Sequence, residues 1–162
     1  MKRIPVKVPW KISASDEIFE YQGGQGRLSV SVYTMVSGRA HREAVAAWEA
    51  RHGTAMPDQL YNGSMGQMLE LRFEGTAFFC FSGLPSRFPQ DRSEALPDTA
   101  LFHARWDETG ICPDPGFYRI EDSPLKACLC TSGESLTHWM LSAHDEELHI
   151  LGKTWKAVPL SP

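Results

Sequence analysis

The sequence predicts an α+β fold, mainly an antiparallel β-sheet of roughly seven to nine strands with one clear α-helix packed on it. Short segments in which apolar and polar residues alternate recur along the chain, and alternation with a period of two indicates half-buried strands. Most of these segments follow one another through short turns, which is typical of antiparallel pairing. Apolar residues with a clear helical spacing occur in one segment, between Ser37 and Gly53.

The size of the chain indicates one domain. It has 162 residues, of which 42% are hydrophobic and 22% are charged, and this is the range of an ordinary globular domain with its own core. The sequence contains neither an internal repeat nor a low-complexity segment that would mark a boundary. We therefore expect a single domain over 1–162.

Three strands are predicted in the first half of the chain, over Arg27–Thr34, Gln67–Phe73 and Thr76–Phe81. The glycines within 23–26 supply a turn before the first of them, and Glu74–Gly75 joins the other two. Because Thr76–Phe81 is apolar on both faces, we expect it to be a central strand.

The one clear helix follows the first strand. Ser37 can accept a hydrogen bond from the first turn, and Gly53 is a natural stop. The apolar stripe, which we expect to pack on the sheet mainly through its tryptophan, consists of Ala40, Ala44, Val45 and Trp48.

The second half of the chain predicts further strands. Alternation returns at Thr99–Trp106, which predicts a strand. Turn formers and two prolines make 107–116 a rigid loop. Short strands are then predicted over 116–120 and 126–131, and the chain ends in a hairpin over 136–155.

The C-terminal hairpin sorts its side chains onto two unlike faces. Its turn is predicted at His144–Glu147, with Ala143 opposite Leu148. The outer face then carries His138, Met140, Ser142, His149, Leu151 and Lys153. The core face carries Trp139, Leu141, Ala143, Leu148, Ile150 and Gly152.

The histidines of this hairpin and a C-x-C pair are the sequence features closest to a metal site. In the predicted register His138 lies opposite Lys153, so His149 is four residues along the neighbouring strand, about 13 Å away at about 3.3 Å per residue. That separation is too large for two ligands of one ion. Cys128 and Cys130 lack the second ligand pair of a structural zinc site. We therefore predict neither a metal nor a cofactor.

Charge and composition exclude several classes of partner. The net charge is −4 and the 16 basic residues are scattered, which argues against nucleic-acid binding. The longest apolar run, 77–81, is far shorter than the roughly 20 residues of a membrane span. No secretory leader is evident at the start of the sequence. With four irregularly spaced cysteines, this predicts a cytoplasmic protein with free thiols.

The leading functional hypothesis is a non-enzymatic, cytoplasmic protein-binding module. Asp145, Glu146 and Glu147 are predicted to form an acidic surface at the hairpin turn, and Trp155 is predicted to stay partly exposed as an aromatic anchor. The acidic balance suits a basic partner, and a homodimer is also possible. A bacterial toxin-neutralising immunity or inhibitor protein is one concrete form of such a module.

Two other classes stay open. The first is a small enzyme whose site lies in the loops 82–98 and 107–116, with His103 as the base and Cys112 or Asp114 assisting. The second is a small-molecule carrier, in which a curved antiparallel sheet holds an apolar ligand beneath the helix.

Overall fold

The computed structural model describes residues 1–13, 20–63, 65–83, 99–130, 135–143 and 146–160. In these ranges the chain forms ten strands and four helices, so the α+β class is confirmed and the strand count exceeds the predicted range. In chain order the elements are β1 (Lys2–Pro5), β2 (Trp10–Ile12), β3 (Glu20–Gly24), β4 (Arg27–Val36), α1 (Gly38–His52), α2 (Asp58–Gly63), β5 (Gly66–Glu74), β6 (Phe78–Gly83), α3 (Thr99–Thr109), β7 (Phe117–Glu121), α4 (Pro124–Leu129), β8 (Thr137–Ser142), β9 (Glu146–Gly152) and β10 (Thr154–Pro159).

The strands form two antiparallel sheets that pack face to face. Sheet I has the order β1-β7-β8-β9-β6, and sheet II has the order β10-β5-β4-β2 with β3 also paired to β4. The ring of Phe117 in sheet I meets Phe73 and Trp155 of sheet II edge-on, with centroids 6.1 and 4.7 Å apart. The buried core between the sheets consists of Val8, Trp10, Ile12, Leu28, Val30, Val32, Leu69, Leu71, Phe73, Phe117, Leu141, Leu148 and Ile150.

The sheets are joined at a corner where the chain changes sheet twice. β9 leads into β10 through Lys153, whose backbone N–H donates to the carbonyl oxygen of Glu74 at 2.9 Å. β5 leads into β6 through Gly75–Ala77. Gly75 has a φ of +64°, and a Cβ there would lie 2.7 Å from the Lys153 side chain. Both the backbone conformation and the close approach therefore require glycine.

The predicted helix α1 is confirmed, and so are its two ends. The hydroxyl oxygen of Ser37 accepts from the N–H of Ala40 at 3.2 Å, and Gly53 ends the helix in the left-handed region with a φ of +68°. The predicted apolar stripe is not what the helix buries. Its buried residue is His41, whereas Trp48 is half-buried and stacks on the His52 ring.

Two predicted strands are helices. Residues 99–106 lie in α3, where Trp106 is buried and its ring contacts that of Phe102, one helical turn earlier. A spacing of four fits a strand face as well as a helix face, so alternation alone could not separate the two. Residues 126–131 overlap α4, where Ser123 caps the first turn and Pro124 stands at its start. Both residues favour a helix beginning over a strand.

The predicted central strand is an edge strand. Among the described strands β6 ends sheet I, and it pairs with β9 rather than with β5. Both of its faces are apolar for a different reason. Phe79 and Phe81 share the core side, where the ring of Tyr21 of β3 lies 5.6 and 5.1 Å from theirs. The outer side carries Phe78, which pairs with the buried Leu151.

The C-terminal hairpin forms, but with a different register. Leu141 rather than Ala143 lies opposite Leu148. The N–H of Ala143 donates to the carbonyl of Glu146 at 2.9 Å, so the turn is two residues shorter than predicted. A shift of two residues keeps the predicted sorting of side chains between faces and changes every cross-strand pair.

The described helices are too short or too polar to cross a lipid bilayer. The N-terminal strands β1, β2 and β3 and the strand β10 have no counterpart in the sequence prediction. Most of them are short or interrupted by prolines and glycines, which weakens the alternation signal.

Replacing Gly66 with alanine is expected to destabilise the fold by about 2 kcal/mol or more, because overpacked sites typically lose 1–3 kcal/mol. The new Cβ would lie 2.3 Å from the carbonyl oxygen of Thr34 and 2.7 Å from the Tyr33 hydroxyl. Gly24→Ala is the matched control, since its Cβ would meet no atom within 4 Å. Urea unfolding of both variants tests this, and equal free energies of unfolding would contradict it.

Candidate functional site

The acidic surface predicted at the hairpin turn is only partly exposed. Glu146 is exposed, Asp145 lies outside the described residues, and Glu147 is 4% exposed. The Glu147 carboxylate accepts from Arg3 Nη2 at 2.8 Å. Trp155 is half-buried, with its ring against Phe117. The carboxylate of Glu147 is therefore paired with Arg3 of the same chain.

The residues of the enzyme hypothesis do not form an activated thiol. Cys112 is 2% exposed, and burial raises the pKa of its thiol to about 11, although the N–H of Asp114 opposes the shift. Asp114 is exposed and its carboxylate accepts from the Tyr118 hydroxyl. His103 is exposed on α3, where its ring contacts Phe102. A thiol with such a pKa is protonated at neutral pH, which makes it a poor nucleophile.

Five polar side chains form a continuous chain on the outer face of sheet I, the face turned away from sheet II. Ser123 Oγ lies 2.6 Å from His138 Nδ1, and His138 Nε2 lies 2.9 Å from His149 Nδ1. His149 Nε2 lies 3.5 Å from Glu147 Oε2, while Arg3 binds the other oxygen of that carboxylate. We call these five residues the polar chain. All but Arg3 are at most 8% exposed.

The observed register brings the two histidines together. His138 lies opposite Leu151, and His149 lies opposite Met140. They are therefore diagonal neighbours on one face, within reach of long side chains. The predicted separation of about 13 Å is wrong, because it used the shifted register.

Three elements supply the ends of the polar chain. Ser123 follows β7 after Asp122, which has a φ of +51°, and its hydroxyl oxygen also accepts from the N–H of Lys126 at 3.0 Å. Arg3 comes from β1, which pairs with β7, while Glu147 stands on β9. The Arg3 side chain therefore crosses the outer face of sheet I above β7 and β8.

The polar chain has one consistent direction of proton donation when both rings are neutral. His149 and Arg3 hold the pKa of Glu147 below its usual value, so the ionised carboxylate only accepts. His149 must then donate from Nε2 and accept at Nδ1. His138 consequently donates from Nε2 and accepts the Ser123 hydroxyl at Nδ1. Burial, with a smaller effect of His149, lowers the pKa of His138 to about 4, so this ring is neutral at pH 7.

A serine hydroxyl that donates to an imidazole is also found in the catalytic sites of acyl-transfer enzymes. Three features of Ser123 oppose that function. Its hydroxyl oxygen already caps α4. The residue is 8% exposed, which limits access of a substrate. Pro124 has no N–H, whereas the residue after such a nucleophile supplies an oxyanion donor. We therefore assign the polar chain no acyl transfer.

The sequence contained a signal for part of the polar chain. Ser123 followed by Pro124 is typical of a helix start. The alternation of the sequence predicts strands on either side of these two residues, over 116–120 and 126–131. The predicted register places His138 and His149 too far apart to contact each other, whereas the observed register makes them neighbours. Arg3 lies in an N-terminal segment whose sequence gives no such signal. Among the described residues, no three His, Cys, Asp or Glu side chains converge on a point that could hold a metal ion.

Two open clefts lie at the corner between the sheets, with volumes of about 340 and 690 Å³. They share Gly26, Thr76 and Ala77, and Lys153 borders the larger one. The carrier hypothesis calls for an apolar cavity beneath the helix. These clefts are surface features at the turns, so they do not favour a carrier.

An apolar area stands on the outer face of sheet II, at the end where β5 begins. Met35, Met65, Met68 and Leu160 are each 38–43% exposed. Tyr33 lies opposite Met68, and the N–H of Leu160 donates to the Met68 carbonyl at 3.0 Å, so these three are neighbours. Met65 accepts from the N–H of Val36, next to Met35. We call Met35, Met65, Met68 and Leu160 the methionine surface.

The remainder of that face is polar. Arg72 binds Glu70 at 2.6 Å, and Lys156 lies 4.0 Å from Glu74. The Glu70 ion pair lies beside the methionine surface, because Glu70 follows Met68 by two residues on the same face. An apolar centre with a charged rim is typical of protein interfaces.

The chain was compared with protein-family models, with curated proteins and with solved structures, and none of the three comparisons gives a match.

Cys112 and Cys128 are expected to differ at least about 100-fold in thiol reactivity at pH 7.4, since a pKa raised by two units lowers the thiolate fraction by that factor. Cys128 is exposed, whereas Cys112 is buried with a raised pKa. Timed labelling with iodoacetamide and peptide mass spectrometry would measure both rates in one sample. Fast labelling of Cys112 would restore the enzyme hypothesis.

Stability is expected to fall as the pH drops from 7.5 to 5. The pKa of His138 is lower in the folded chain than its ordinary value of 6.5, so the unfolded chain binds the proton more tightly. This residue alone should contribute about 2 kcal/mol to the loss. Glu147, whose folded pKa is also lowered, adds a loss at lower pH.

Urea unfolding at both pH values would measure this dependence. His138→Gln is expected to reduce it by about 2 kcal/mol, whereas His52→Gln, at an exposed histidine, should leave it unchanged. An identical pH dependence in His138→Gln and the wild type would show that His138 is not a buried neutral ring.

Proposed function

We propose that this chain is a protein-binding module that binds the apolar contact area of a partner on its methionine surface. The observation that carries the proposal is the grouping of Met35, Met65, Met68 and Leu160, each 38–43% exposed, on a sheet whose opposite face is fully packed. Exposed apolar residues that adjoin one another mark interaction sites more often than scattered ones do.

Methionine suits this role physically. Its unbranched, polarisable side chain adapts to irregular partner surfaces, and it is enriched at interfaces. Beneath the surface, Val32 and Leu69 are at most 2% exposed, so the backbone that carries the methionines is held by the core. A flexible contact layer on a rigid base loses little backbone entropy on binding.

The partner proposed is a protein with an apolar centre and a basic rim. The net charge of −4 supports a basic rim. A basic toxin domain that this chain neutralises as an immunity or inhibitor protein is one concrete form of the proposal. The acidic residues at the hairpin turn contribute less than the sequence predicted, because Glu147 is buried.

Binding is expected to fall about 10-fold or more in Met68→Asp, because an interface centre tolerates no unpaired charge. Leu129→Asp is the matched control. Leu129 is 49% exposed on α4, which packs against β8 of sheet I rather than on sheet II, so affinity should stay within about twofold. The measurement is calorimetric titration with the partner isolated by affinity purification of the tagged chain.

Each outcome separates the proposal from its alternatives. Equal affinity of Met68→Asp and Leu129→Asp would exclude the methionine surface as the binding site. If purification yields a dimer of the chain alone, Met68→Asp should convert it to a monomer, measured by light scattering. A stable monomer that retains no protein would remove the proposal.

A further inference from the structure

The polar chain ties four elements of sheet I's outer face together. Ser123 caps α4, His138 stands on β8, His149 and Glu147 stand on β9, and Arg3 stands on β1. β1 is a four-residue edge strand that pairs with β7 alone among the described strands. The Arg3 ion pair therefore links β1 to β9, in addition to the backbone pairing of β1 with β7.

An added proton changes the hydrogen bonds between the histidines. If His149 is protonated, both of its nitrogens donate, so His138 Nε2 must accept and its Nδ1 must donate to Ser123 Oγ. That oxygen already accepts from Lys126. The Ser123 hydroxyl proton then loses its imidazole acceptor. One proton thus reverses the chain from His149 to Ser123.

The added charge also weakens the hold on Arg3. When both imidazole rings are neutral, the polar chain contains one cation, Arg3, and one anion, Glu147. After uptake, two cations share that single carboxylate. Among the described residues on the strands of this face, the other titratable groups are Cys80, opposite His149, and Tyr118, whose hydroxyl donates to Asp114. Burial raises the pKa values of both Cys80 and Tyr118, so they stay neutral. On α4, Lys126 is exposed and cationic.

We propose that the polar chain is an acid switch: His138 and His149 take up one proton as a unit, and the uptake loosens β1 and the first turn of α4 while sheet II stays intact. The switch is independent of the proposed binding function. It rests on the contacts of the two rings with each other and with Ser123 and Glu147.

Nitrogen-15 NMR of the imidazoles tests the first half of the proposal. At pH 7.5 both rings are expected to carry the proton on Nε2, with Nδ1 unprotonated. On acidification the nitrogens of both rings should shift together with one midpoint. A proton on Nδ1 of either ring at pH 7.5, or two separate midpoints, would overturn the coupled uptake.

Native-state hydrogen exchange tests the second half. The Val6 amide, which donates to Phe117 at 3.0 Å, and the Lys126 amide, which donates to Ser123, report on β1 and α4. Their protection, corrected for the intrinsic rate, should fall at least tenfold between pH 7.5 and 5. The Val36 amide, which donates to Met65, reports on sheet II. Its loss of protection should be at least tenfold smaller than theirs and no larger than the fall in global stability accounts for. Equal loss at all three amides would indicate global unfolding instead.

His149→Gln removes the proton-binding ring and leaves Arg3 and Glu147 in place. Its Val6 and Lys126 amides should lose no more protection on acidification than its Val36 amide does. His52→Gln, at an exposed histidine of α1, should respond to acid as the wild type does. A wild-type response in His149→Gln would overturn the switch. If that variant does not fold, the wild-type ring titration still decides the proposal.

Discussion

The pairing of Leu141 with Leu148 is the constraint on which much of the structure depends. It places both leucines in the core, each fully buried, and aligns Trp139 with Ile150 on the same face. It also sets the opposite face, where the two histidines become diagonal neighbours. A slip by two residues would keep the apolar side chains inward and separate the histidine rings. The inward and outward pattern alone therefore allows more than one register, and the polar chain favours this one.

Sheet I is buried on both faces, and this decides the chemistry of its polar residues. The outer-face residues Met140 and Leu151 are at most 1% exposed. In such surroundings a polar group must find a partner within the protein. A buried histidine is stable here because each ring nitrogen has a neighbour, and Glu147 because Arg3 and His149 both contact it. The polar chain is thus a condition for burying this face.

The sequence determined the face of each hairpin residue but not its neighbour. Alternation has a period of two, so it predicts which residues of 136–155 share a face. Register depends on the turn, and the signals in 143–147 allowed both a four-residue and a two-residue loop. The helices α3 and α4 were missed for a similar reason, since Phe102 and Trp106 fit both periods. Ser123 and Arg3 joined the site through tertiary contacts that no local pattern encodes.

The methionine surface and the polar chain lie on opposite outer faces of the two packed sheets, with the core between them. Packed sheets are about 10 Å apart, so the two histidines make no direct contact with a partner bound at Met68. A loosened β1 would act on the rest of sheet I through β7, its one partner strand among the described strands. This strand presents Phe117 to Phe73 and Trp155 of sheet II, and Tyr118 and Ile120 to the polar face. Since Phe117 is fully buried among these rings, β7 is the rigid part of sheet I. Within sheet I, loosening of β1 in acid should therefore stop at β7.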